Sequence, residues 1–311
     1  MKLADVMGCV GTAIILLLAS VWIPFIGPFF SLLTPLPFLY YTTKLELQQG
    51  LKVVALAFIV IGLIAKLTGY TQIIFFCFEL GILGLIISEI YRRDLTFGLT
   101  IFWGTSFMLL IGAIFLFIIG LSRKMWPMEL ILAYFQNNLN EAINAYEKMG
   151  LDQEKVTQIR AYGQAFTDII SKVYPSLVII GSGLVVWINV IISKPLFRMR
   201  NLKYPEFAPL ERWRSPEMMV WGFIAAGFAL FLTTGSVELI AINALIVMSV
   251  IYVFHGLALV LFILNKYNIH VWIRFLVYFL ILFQQIFLVL LFLAGLFDQW
   301  LDFRKIYKRS E

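Results

Sequence analysis

Glu79 and His255 are ionisable residues set inside long apolar runs, Phe75-Phe76-Cys77-Phe78-Glu79-Leu80-Gly81 and Tyr252-Val253-Phe254-His255-Gly256. Such groups are costly at membrane depth, so each is a functional candidate by default. A carboxyl at Glu79 could contact a ligand or proton in a cavity; the plainer role is a protonated or hydrogen-bonded group facing another helix. His255 reads more simply as an interhelical hydrogen-bonding group beside a glycine that admits close helix approach. The only other histidine is His270, too little for a His-rich metal site. Asn243, Gln284 and Gln285 are uncharged amides of the kind that glue helices together, or that could line one polar cavity with Glu79 and His255. No nucleophile–base pair, metal set or cofactor motif stands out, so the expectation is no catalytic residue, no cofactor and no metal.

The elements that must position these residues follow from composition. The hydrophobic fraction is 61%, the charged fraction 14% and the mean hydropathy +0.92. That much apolar surface places the chain in a lipid bilayer. A hydrocarbon core about 30 Å thick needs roughly 20 helical residues. Runs of that kind lie at 52–67, 70–89, 97–121, 173–194, 217–234, 237–264 and 272–296, with a further one at 7–23. A ninth, 28–42, carries Pro28, Pro35 and Pro37, and either crosses or dips in and returns. Each run is apolar throughout, without the alternation of a barrel strand. The expected fold is an all-α polytopic membrane helix bundle of eight or nine transmembrane helices with an amphipathic insert. The first run lacks a small-residue cleavage site and is expected to stay in the protein. The divisions are 1–121 and 173–311, both transmembrane, and the insert 122–172.

The insert reads as two helices. Leu132, Phe135, Leu139, Ala142, Ile143 and Tyr146 stripe the first, and Gly150 ends it. Asp152 caps the second, which carries Val156, Ile159, Tyr162 and Phe166 and could run on into the span beginning near Val173. The net charge of +6 comes from Lys and Arg at run ends, which grip lipid headgroups and imply no nucleic-acid partner. The basic 195–216 loop tilts the reading towards a cytoplasmic N-terminus. Cys9 and Cys77 are expected as buried free thiols.

Four motifs resemble the YybS-like family of bacterial multi-pass membrane proteins, a domain of unknown function. They are Thr34-Pro35-Leu36-Pro37-Phe38-Leu39-Tyr40, Trp213-Arg214-Ser215-Pro216-Glu217-Met218, Phe254-His255-Gly256-Leu257-Ala258, and the block from Gly295 to Arg304. The family usually has glutamine where this chain has His255. It is distantly similar to the substrate-binding membrane subunits of energy-coupling-factor transporters, whose first helix meets a partner subunit through small residues spaced by four. Ala4, Gly8 and Thr12 fit that spacing loosely. Asp298 and Asp302, one turn apart, are expected to salt-bridge to Arg304, Lys305 or a loop. Two functions remain. One is a small-molecule-binding or transport subunit with Glu79, Asn243, His255, Gln284 and Gln285 at a midplane site. The other is an assembly factor holding a membrane partner through the insert and the loop that bears Arg212, Trp213 and Arg214.

Overall fold

The computed structural model describes residues 3–23, 26–69, 72–148 and 153–305. Gly150 and Asp152, expected to end and cap the insert helices, lie outside them. The helices are α1 (Leu3–Trp22), α2 (Gly27–Ser31), α3 (Pro35–Thr68), α4 (Gln72–Arg92), α5 (Phe97–Arg123), α6 (Pro127–Lys148), α7 (Gln153–Met199), α8 (Met219–Leu232), α9 (Ser236–Lys266), α10 (Val271–Phe283) and α11 (Gln285–Leu301). Among the described residues there is no strand. The chain divides into two compact units, Met1–Ile131 with Gly181–Phe207, and Leu132–Ile180 with Ala208–Glu311.

In the first unit, the prolines open helices rather than break them. Pro35 starts α3, where a missing N–H costs nothing. The break comes later, at Glu46, whose φ of 64° and ψ of 169° interrupt α3. Phe38 and Phe58 have ring centroids 5.7 Å apart, although twenty residues of straight helix would separate them by about 30 Å. The chain therefore doubles back at Glu46. A Cβ on Gly50 would lie 2.8 Å from the Cα of Thr42, so the reversal needs glycine there. Arg92 satisfies the exposed end of the first arm by donating to the Thr42 carbonyl at 3.1 Å. That arm runs antiparallel to α1: Gly27 abuts the Ser20 carbonyl, and Lys44 pairs with Asp5 at 2.6 Å. The stretch 27–45 thus covers α1 from its last turn to its first. Phe38, Val53, Val54 and Ala57 fill one core against Cys9 and Ala13. Leu39, Leu83 and Ile87 pack on Val186 and Val190 of α7 in a second. Asn189 of α7 donates to the Leu32 carbonyl at 2.7 Å, fixing the turn between α2 and α3.

In the second unit, α6 and the first part of α7 pair as a hairpin. Gly163 faces Leu139 with no room for a Cβ, and Ile143 and Val156 are buried. The second insert helix does run on, since α7 is one helix of 47 residues. At about 1.5 Å per residue it is more than twice as long as a hydrocarbon core is thick. α9 and α11 cross at two glycines. A Cβ on Gly256 would fall 2.0 Å from the Leu291 carbonyl oxygen, and one on Gly295 would fall 2.1 Å from that of Tyr252. α8 packs along the first half of α9, with Gly222 against Met248 and Phe223 against Tyr252.

By length and composition, six helices among the described residues can cross a membrane, or seven if α10 and α11, bent by 100°, count as one span. This is fewer than the eight or nine of the sequence reading, for two physical reasons. That count treats Phe29–Leu67 as one segment, although it folds at Glu46 into two arms. It also leaves out α8, which has only 14 residues.

Candidate functional site

The brevity of α8 is explained by the segment before it. Glu211 accepts a hydrogen bond from the Asn265 side chain, at the last turn of α9. Ser215 bonds to His255, ten residues back along α9. Leu210–Arg212 is a 3₁₀ turn and 213–216 is non-helical; with Glu211 at the last turn of α9 and Ser215 ten residues back, about 15 Å of helix, the segment runs down beside α9. α8 then continues along α9 towards its first turn. This segment and α8 together run alongside α9. Non-helical backbone beside a spanning helix must be buried in protein or line a cavity, and polar side chains surround this one.

At its centre is a chain of hydrogen bonds. The Ser215 hydroxyl lies 3.0 Å from His255 Nδ1, and His255 Nε2 lies 3.0 Å from Asp298 Oδ2. The other carboxylate oxygen of Asp298 accepts the Phe303 N–H at 2.8 Å. With both carboxylate oxygens accepting, Nε2 carries the imidazole proton and Nδ1 is free to accept from Ser215. Gln299 Nε2 donates to Ser215 Oγ at 2.7 Å. Every bond then has one donor and one acceptor. Ser215, His255 and Asp298 are all buried. The Trp213 ring stands edge-on to the imidazole, with centroids 6.2 Å apart.

Charge closes the site from the C-terminal end of α11. Asp302 adopts a left-handed conformation, φ 42°, and ends the helix. That turn carries Arg304 back to donate to the Trp213 carbonyl at 3.0 Å. Arg304 is buried, which lowers its pKa, and its Nε has no hydrogen-bond partner among the described residues. Asp302 pairs with Arg214 at 2.6 Å and with Lys305 at 3.0 Å. The hydrogen bond from Arg214 holds the Asp302 carboxyl down at about 2. The expected acidic turn is thus divided: Asp302 takes the salt bridges and Asp298 takes the histidine.

The other sequence candidates lie elsewhere. Glu79 belongs to the first unit, half-buried on α4, with its Oε1 3.2 Å from where a Cβ on Gly112 would stand. Asn243 Oδ1 accepts the Ser176 N–H at 2.8 Å, while its Nδ2 donates to the Lys172 carbonyl at 2.7 Å and the Leu239 carbonyl at 2.8 Å. Ser176 N–H and Lys172 C=O are a pair that an uninterrupted helix would join directly; beside Pro175 the amide is inserted between them. Gln284 forms the break between α10 and α11, and the side chains of Gln284 and Gln285 are exposed. Ala4 and Thr12 are exposed on α1, while the space at Gly8 is taken by the Tyr41 hydroxyl of the same chain. Arg212 is exposed in a short 3₁₀ turn, and Trp213 and Arg214 join the centre described above. Sequence reasoning missed Ser215 as a partner of His255, because a hydroxyl in a loop carries no signal of burial. The available clue was that three of the four short motifs meet here.

Long apolar helices in both units, with a buried polar centre in the second, define a polytopic α-helical membrane protein. The chain belongs to the family described as "Predicted membrane protein (DUF2232)", which matches residues 11–299. No curated protein and no solved structure matches it.

Proposed function

We propose that the segment before α8 and α8 itself form one discontinuous span and that the protein binds a small molecule there, as a binding or transport subunit in a bacterial inner membrane with its N-terminus in the cytoplasm. The observation that carries this reading is the non-helical, charge-bearing stretch 213–216 that follows the 3₁₀ turn and lies beside α9. Transporters build substrate sites where a spanning helix gives way to irregular chain at mid-depth. His255 is the sequence candidate at this centre, and Arg304 offers a buried Nε donor to a ligand with an acceptor oxygen. Glu79 is a separate candidate in the other unit. The resemblance to the YybS-like family, and through it to the substrate-binding subunits of energy-coupling-factor transporters, agrees with this reading.

A thermal-shift screen of the purified full-length protein against small metabolites tests it. A saturable rise in Tm that disappears in a folded Arg304→Gln variant is the expected result. A rise that is unchanged in Arg304→Gln but lost in Glu79→Gln would move the site to the first unit.

The α6–α7 hairpin favours a second reading, an assembly factor that holds a membrane partner. Tyr134, Tyr162, Phe166 and Ile169 are exposed there. A partner that co-purifies with the whole chain and is lost when 128–170 is deleted would support it.

A further inference from the structure

Ser215, His255 and Asp298 stand in the order that activates a hydroxyl for attack. A nucleophile needs a base within hydrogen-bond reach, and that base must be held in one tautomer by a third group. Asp298 fixes the proton on Nε2, so the bare Nδ1 faces the Ser215 hydroxyl at 3.0 Å. The ring is turned the other way from the serine-protease arrangement, with the same succession of roles. Gln299 Nε2 donates to Ser215 Oγ at 2.7 Å, which holds the hydroxyl in place against His255. We propose that Ser215 is an acyl-accepting nucleophile whose substrate class is a carboxylic ester. The inference deepens the reading of this centre as a ligand site, on which it rests for entry of the substrate.

The step balances without any oxidant or reductant. Ser215 Oγ forms a bond to the ester carbonyl carbon as its proton passes to His255 Nδ1. The carbon–alkoxide bond breaks, and the leaving alcohol takes that proton. Water then attacks the acyl-serine, giving one proton to Nδ1, and Ser215 recovers a proton as the carboxylic acid departs. The sum is ester plus water to acid plus alcohol.

Access is through the segment itself. Ser215 is 4% exposed, whereas its neighbours Arg214, Pro216 and Glu217 are exposed. The hydroxyl thus lies one residue beneath the surface, under a segment stapled by Glu211 to Asn265, Arg214 to Asp302, and Pro216 to Gln299. Loosening a staple that lies outside the Ser–His–Asp chain uncovers the hydroxyl and speeds its reaction.

An alkyl fluorophosphonate tests this on the full-length protein in lipid nanodiscs, with adducts located by peptide mass mapping. The reagent forms an Oγ–P bond and loses fluoride, with the hydroxyl proton leaving through His255. The expected result is a single adduct on Ser215, formed about 100-fold or more slowly in His255→Gln and faster than wild type in Asp302→Asn. Should His255→Gln fail to fold, wild type and Asp302→Asn decide the matter between them. No adduct on Ser215 in either protein would overturn the proposal, as would labelling unchanged in folded His255→Gln or spread over other serines. A metabolite that raises Tm while Ser215 stays unlabelled would sink the nucleophile and leave the binding reading standing. Labelling with no ligand found supports the nucleophile alone.

Discussion

Asn243 illustrates how one amide repairs a helix. Its carbonyl and amino groups take the N–H of Ser176 and the C=O of Lys172, at 2.8 and 2.7 Å, beside Pro175 of α7. Asn243→Leu would keep the volume and orphan both backbone groups, a loss of about 1–3 kcal/mol. Thermal unfolding in detergent should show a clear drop in Tm, and an unchanged Tm would mean the bridge does not form. Asp302 supports a prediction in pH. Its carboxyl is held at about 2 by Arg214, below the ordinary value of about 3.9. A lowered folded-state pKa stabilises fully above the unfolded value and loses that contribution as pH falls through the folded one. The Tm difference between wild type and Asp302→Asn should therefore hold steady from pH 8 to 5 and shrink between about pH 4 and 2. Because Arg214 is partly exposed, the difference amounts to a few degrees at most. A difference that instead grows on acidification would assign the wrong partner to Asp302.

At the scale of elements, two helices owe their shape to backbone that is not helical. α3 is two antiparallel arms joined at Glu46, an exposed residue at φ 64° and ψ 169°. Glycine alone holds that region without strain, which costs other residues about 1–3 kcal/mol. Glu46→Gly should therefore raise Tm, by about 1 kcal/mol of stability after the extra freedom of an unfolded glycine is set against it. A fall in Tm would show that the reversal lies elsewhere. α8 is short because residues 211–218 supply the rest of its passage. Both features limit what the sequence could reveal. The apolar runs at 28–42 and 52–67 were legible as separate segments, but their prolines drew attention from the true reversal at Glu46. Hydropathy marked 217–234 and could not mark the polar stretch before it, because the burial of Ser215 comes from partners distant in sequence.

For the whole molecule, the helical membrane bundle was legible from composition, because no other fold buries so much apolar sequence. The site was legible only in part. His255 stood out because a histidine in an apolar run is costly; Asp298 looked like the end of a span, and Ser215 like a loop hydroxyl. Their association depends on the glycine crossing of α9 with α11 and on the descent of 211–218, and neither is encoded in local periodicity. The central claim is that descent. A short bis-maleimide applied in native membranes, on a Cys9→Ser, Cys77→Ser background, measures it directly. If 211–218 runs down beside α9, S215C will cross-link to H255C and not to K266C, eleven residues and about 16 Å further along the helix. Cross-linking to K266C in place of H255C would leave the segment at the end of the helix and contradict the account.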